Sequence, residues 1–164
     1  MLNSMNDYYN EKFQAGLEYQ DFIADQLRKA DPCIIISTYA SLNWQNGRGE
    51  NSSGIEIKYD MKLEKTGNLY IETEEKSDAA IDGYTPSGIL RNDATWLYLI
   101  GNYNEAYLFS KAQLQHLYLH REYWNKRGIR EVEAETKTSR GFLYPAHCAI
   151  ASGTCLKHFI FKVR

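Results

Sequence analysis

The segment GIEIKYDMKLEKTGNLYIETEEK, residues 54–76, holds two alternating runs separated by a turn signal. In the first run Ile55, Ile57 and Tyr59 fall on one side, and Glu56, Lys58 and Asp60 on the other. That period of two is the mark of a half-buried strand. Lys65-Thr66-Gly67-Asn68 reads as the turn. A second strand then runs from Leu69 to Lys76, with Glu72, Glu74 and Lys76 sharing one face. Two such runs around a short turn predict an antiparallel hairpin, in which Asp60 comes to lie beside Glu72.

Outward from this ribbon, Phe13, Leu17, Phe22, Ile23 and Leu27 recur at near-helical spacing, so residues Asn6 to Ala30 read as a helix that Asp31-Pro32 stops. Cys33 to Ile36 is a short apolar run read as a strand, and Asn43 to Ser53 is a polar loop. Beyond the ribbon, Asp78 to Asn92 is a loop containing Thr85-Pro86-Ser87-Gly88. Asp93 to Ile100 fits helix or strand, and Ala106 to Phe109 reads as a strand. Ser110 suits the N-cap of a helix from Lys111 to about Trp124. Asn125 to Gly141 is a basic polar segment, and Phe142 to Tyr144 and His158 to Val163 are the last candidate strands. Strands interspersed with helices in this order predict an α/β or α+β fold. Its centre is a sheet, in one domain over residues 1–164.

The chain of 164 residues is 43% hydrophobic and 24% charged, the balance of an ordinary globular protein, which excludes a disordered or collagen-like chain. No apolar run approaches the ~18 residues of a membrane span, and no secretory leader is expected at the N-terminus. The net charge of −2 conceals a division. Residues 1–110 carry 9 Lys+Arg against 17 Asp+Glu, and residues 111–164 carry 10 against 4. An acidic centre and a basic surface in one molecule are implied. The three cysteines, Cys33, Cys148 and Cys155, show no disulfide spacing, so a reducing cytoplasm is expected.

Asp60, Glu72 and Glu74 on one ribbon would repel one another unless a cation neutralised them. Hard divalent ions take such oxygen ligands, and Mg²⁺ is commonly held by one or two carboxylates plus phosphate and water. A bound ion polarises a phosphoryl oxygen and acidifies its water. The Lys76 ammonium on the same face could orient that water or stabilise developing negative charge. The plainer alternative is a solvated strand face of alternating Glu and Lys.

Residues 54–76 resemble the core of the PD-(D/E)XK nuclease superfamily, in which one strand carries an Asp and the next (Asp/Glu)-x-Lys. The segment from Asp60 to Gly88, with Thr66-Gly67-Asn68, Tyr70-Ile71-Glu72 and Pro86-Ser87-Gly88, is similar to small phage and prophage proteins of that superfamily. The resemblance covers roughly residues 10–110. It implies a restriction-endonuclease-like fold with a central mixed sheet of four or five strands flanked by helices. It also implies a Mg²⁺- or Mn²⁺-dependent nuclease that hydrolyses DNA phosphodiesters. Asp60 and Glu72 would be metal ligands, Glu74 a ligand or base, and Lys76 the auxiliary cation. Glu18, in the helical stretch Gly16 to Ile23, matches the acid that the preceding helix often contributes. The sequence departs from the simple signature: Glu72-Thr73-Glu74 puts Glu where Lys is expected, while Glu74-Glu75-Lys76 restores the Lys over a longer gap. Glu56-Ile57-Lys58 is a third Glu-x-Lys with no Asp suitably placed before it.

A nuclease needs a phosphate-binding surface. Arg121, Lys126, Arg127, Arg130, Lys137 and Arg140, with His116 and His120, offer one, and Arg91 after Pro86-Ser87-Gly88 offers another. The alternative is a solvated helix and loop. Tyr8, Tyr9, Tyr39, Tyr118, Tyr123 and Trp124 could stack on bases, though core or rim packing is the commoner role of such aromatics. His147, Cys148, Cys155 and His158 are zinc-ligand types, but the Cys148–Cys155 interval exceeds a zinc knuckle and reads as buried thiols. There is no P-loop, dinucleotide fingerprint or nucleophile elbow. Membrane attachment is not expected, and a homodimer stays open because restriction-type nucleases pair to cut both strands. A catalytically silent nuclease-like fold that binds nucleic acid or protein is the alternative function.

Overall fold

The structure, a computed structural model, describes residues 2–31, 36 and 51–161. The expected strand Cys33–Ile36, Tyr39 and the loop before Asn51 fall outside them, apart from Ile36. Helix α1 (Leu2–Ala30) starts earlier than its apolar spacing predicts. Tyr19, Ile23 and Leu27, at intervals of four, are its buried face, while Phe13 stands 57% exposed rather than joining that stripe. Each fully buried side chain of this size contributes roughly 1.5–3 kcal/mol. Arg28 and Lys29 in the last turn complement the helix dipole.

The chain is α+β, with two four-stranded sheets instead of the single central sheet expected. The first sheet is mixed, in the order β1-β4-β5-β8. Strand β1 (Ile55–Tyr59) runs parallel to β4 (Leu97–Gly101), and β5 (Glu105–Ser110) and β8 (Cys155–Ile160) follow antiparallel. The second sheet is antiparallel, in the order β3-β2-β7-β6. It contains β2 (Asn68–Glu75), the two-residue β3 (Thr85–Pro86), β6 (Arg130–Glu133) and β7 (Ser139–Pro145). Short helices α2 (Leu63–Thr66) and α4 (Ala146–Ala151) and the longer α3 (Lys111–Leu119) complete the fold among the described residues. No helix among them is long and apolar enough to cross a membrane.

The expected β1–β2 hairpin does not form. Asp60 N–H donates to Gly101 O and so prolongs the β1–β4 ladder by one bond. The chain then turns through α2, which ends at Gly67 in the left-handed conformation (φ 65°). That turn delivers β2 to the other sheet, where its long partner is β7, far along the chain from β1. A two-period pattern is the same in a hairpin and in two separate ladders, so the pattern alone could not choose between them.

Two cores result. Ile55, Ile57, Leu99 and Ala106 on one face of the first sheet pack against Tyr19, Ile23 and Leu27 of α1. Tyr98, Ile100, Tyr107 and Phe109 on its other face join Leu69, Ile71, Phe142 and Tyr144 of the second sheet and Leu114 and Leu117 of α3. Ser110 caps α3 as expected, accepting from Gln113 N–H. The helix stops at Leu119, short of Trp124, which is buried and donates its indole N–H to Leu117 O. The basic segment after Asn125 supplies β6 and the start of β7.

Candidate functional site

On β1 the alternation holds, but its polar side is not turned to solvent. Glu56 is 1% exposed and Asp60 8%. Lys58, Tyr59 and Asp60 line a cavity of about 160 Å³ with Tyr70 and Glu72 of β2 and Tyr98 and Ile100 of β4. Asp60 and Glu72 therefore meet at one cavity although their strands belong to different sheets.

The Asp60 carboxylate is held by backbone. Oδ1 accepts from Lys62 N–H and Oδ2 from Tyr70 N–H, both at 2.9 Å. Burial pushes this carboxyl above the usual range, partly offset by the N–H donors of Tyr70, Lys62 and Leu63. Glu72 Oε1 accepts from Ser87 Oγ at 2.7 Å. Tyr70 bonds Ser139 through its hydroxyl, and burial raises that phenol to about 12. The cation at the cavity is Lys58, whose Nζ lies 3.1 Å from Glu56 Oε1. Apart from this ion pair, neither Glu56 oxygen has a hydrogen-bonding partner among the described residues. Glu56 and Tyr98 are register partners across β1 and β4.

Glu74 and Lys76 do not line the cavity. A bulge explains Glu74. Glu72 stands opposite Gly141, but the register shifts before Glu74, which stands opposite Arg140. Arg140 and Gly141 point to opposite faces, so Glu74 leaves Glu72's face and Glu75, opposite Ser139, takes its place. Lys76 Nζ donates to Ala79 O and Ile81 O and sits 4.8 Å from the Tyr84 ring centroid. Glu18 is exposed on α1, bonded by Gln14, and is likewise absent from the cavity lining. Lys58 was legible in the sequence only as the Glu-x-Lys lacking an earlier Asp. The Asp it accompanies follows it, and the partner strand comes from a later segment.

Among the described residues no three His, Cys, Asp or Glu side chains are grouped so as to hold a metal ion. The expected cluster of three carboxylates is thus a pair, and the zinc-type residues do not converge. His158 bonds Glu105 instead, at 2.8 Å. The pair still suits a hard cation that keeps its water. Each carboxylate offers about four lone-pair positions; Asp60 faces the N–H groups of Lys62, Tyr70 and Leu63, and Glu72 one hydroxyl. A buried carboxyl disfavoured as an anion gains most from a cation beside it.

The basic residues divide. Arg121 pairs with Glu131 and lies 4.0 Å from the Tyr118 ring centroid; Arg140 pairs with Glu133 and lies 3.9 Å from the Tyr84 ring centroid. Arg91 pairs with Glu75. Lys126, Arg127, Arg130 and Lys137 form no ion pair with a described carboxylate. Arg130 aligns with Leu143 and Tyr70, which places it on Glu72's face of the second sheet. No protein-family model, curated protein or solved structure matches the chain.

Proposed function

We propose that the chain is a Mg²⁺- or Mn²⁺-dependent nuclease with a restriction-endonuclease-like core, hydrolysing DNA phosphodiesters at the cavity between β1 and β2. One observation carries this reading: Asp60 and Glu72, on different sheets, line the same small cavity beside the Lys58 ammonium. The mixed sheet with α1 on one face supports the fold assignment. Free thiols at Cys148 and Cys155 suit a reducing cytoplasm.

Asp60 and Glu72 would hold the ion, which supplies polarisation of a phosphoryl oxygen and an acidified water. Lys58 offers a fixed ammonium to charge developing on the phosphate oxygens. It takes the auxiliary position for which the sequence suggested Glu74 or Lys76. Lys126, Arg127, Arg130 and Lys137 offer charge to the flanking backbone. Two copies would be needed to cut both strands of a duplex.

A second reading has its own support. With Glu74 turned away and Lys76 held by loop carbonyls, the signature is split, as in a silent nuclease-like fold that binds nucleic acid. Incubation with plasmid, single-stranded DNA and RNA in Mg²⁺ or Mn²⁺ separates the two. The nuclease reading expects cleavage that Asp60→Asn and Glu72→Gln abolish. Binding of these polymers without cleavage in either ion selects the silent fold, and cleavage that survives both substitutions removes the site.

A further inference from the structure

Ser87, Gly88 and Arg91 lie outside the cavity lining, yet Ser87 and Gly88 meet Glu72 directly and Arg91 reaches it through Ser87. Ser87 is fully buried, and its N–H donates to Thr73 O at 2.9 Å while its hydroxyl reaches Glu72 Oε1. Arg91 Nη2 lies 3.2 Å from Ser87 Oγ and 3.1 Å from Glu75 Oε1. The polarity of this chain is fixed by valence. A guanidinium can only donate and a carboxylate can only accept. Ser87 Oγ therefore accepts from Arg91 and commits its single proton to Glu72. Gly88 (φ +49°) completes the seat: a Cβ there would stand 2.3 Å from Glu72 O and 3.0 Å from Glu72 Cβ. Glycine lets the loop backbone lie directly on the residue it supports. The far end is anchored too, since the buried Lys111 Nζ donates to Arg91 O at 2.9 Å.

From this geometry we infer that Ser87 and Arg91 are positioning residues for Glu72. Their relay fixes Oε1, so that the rest of the carboxylate is presented to a divalent cation in the cavity. The inference rests on the metal-dependent reading above and adds the element that orients one of its ligands. Partners of this kind behind a metal ligand typically alter affinity by 10–100-fold.

The test is calorimetric titration of the intact protein with Mn²⁺ alone, with folding checked by circular dichroism. The inference expects wild-type binding that Glu72→Gln abolishes. Ser87→Ala should keep the fold and weaken binding about tenfold or more. Ser87→Thr, which retains the hydroxyl, should stay near wild type if it folds. Arg91→Ala should weaken binding by a smaller factor, because Ser87 keeps its proton but loses its fixed direction. Wild-type affinity in a folded Ser87→Ala protein overturns the positioning role and leaves the metal reading intact. Absence of Mn²⁺ binding in the wild type, or binding indifferent to Glu72→Gln, overturns both.

Discussion

Asp60 Oδ2 accepts the backbone N–H of Tyr70 at 2.9 Å, a bond that ties the end of one sheet's edge strand to a strand of the other sheet. Glu72 lies two residues beyond Tyr70, on the same face of β2. The side chain proposed to hold the ion is thus also a structural clasp between the sheets. Replacing Asp60 by Ala would strand the N–H groups of Lys62 and Tyr70, at about 1–3 kcal/mol for each buried donor left unpaired. Asn keeps one acceptor, which makes Asp60→Asn the variant to use for activity. Urea denaturation should rank the proteins wild type, Asn, Ala in falling stability; Ala at wild-type stability would contradict the clasp.

Lys58 and Lys76 are predicted to behave differently. Lys58 lines the cavity, whereas the Lys76 ammonium is committed to the carbonyls of Ala79 and Ile81. Lys58→Met should reduce cleavage by about 10²-fold or more, the scale of losing a charged group at a developing oxyanion. Lys76→Met should cleave near the wild-type rate and lose loop stability instead. The reverse ranking in a single-turnover assay would return the auxiliary role to Lys76.

Glycines 88 and 67 make a matched pair. Both have positive φ, and left-handed backbone costs a non-glycine residue roughly 1–2 kcal/mol. A Cβ on Gly67 meets nothing within 4 Å, whereas one on Gly88 collides with Glu72 backbone. Gly67→Ala should lower the urea midpoint and leave Mn²⁺ affinity alone. Gly88→Ala should lower both, because Glu72 must move. Equal Mn²⁺ affinity in the two variants would argue against the seat.

Acid stability should report the buried Asp93–Lys111 pair, joined at 2.8 Å with side chains 2% and 4% exposed. Burial works to raise the Asp93 carboxyl, but the Lys111 ammonium and the Thr95 donors outweigh it and hold the carboxyl below the usual range. A carboxyl lowered on folding stabilises the protein above its unfolded value of about 3.9. That contribution is lost as pH falls through the folded value. Asp93→Asn should therefore flatten the acid limb of the stability curve below about pH 4. Lys111→Met, which leaves the buried carboxylate without its cation, should cost about 3–5 kcal/mol at neutral pH. Stability near wild type in that variant would show that the pair matters little.

Salt dependence should separate the free cations from the engaged ones. Each phosphate contact contributes about 0.9 to the slope of log K against log salt on duplex DNA. Converting Lys126, Arg127, Arg130 and Lys137 to Gln should lower that slope. The same change at Arg121 and Arg140, already paired with Glu131 and Glu133, should alter it less. Fluorescence anisotropy over a salt series would settle it, and an unchanged slope in the fourfold variant would exclude this surface.

The sequence by itself determined the local elements that short-range forces dictate: the apolar face of α1 around Ile23 and Leu27, the alternation of β1 and β2, and the Ser110 cap of α3. It also singled out Asp60 and Glu72, because a carboxylate at a strand end and another within the next strand are visible in one dimension. Tertiary structure decided which strands pair. A period of two is satisfied by any neighbour, and the β1–β4 and β2–β7 ladders are chosen by the two cores they close. It also decided which cation serves the cavity, since a one-residue bulge between Glu72 and Glu74 exchanges the faces of every side chain after it. Neither effect leaves a trace in residue types, because both depend on segments far apart in the chain being brought into register.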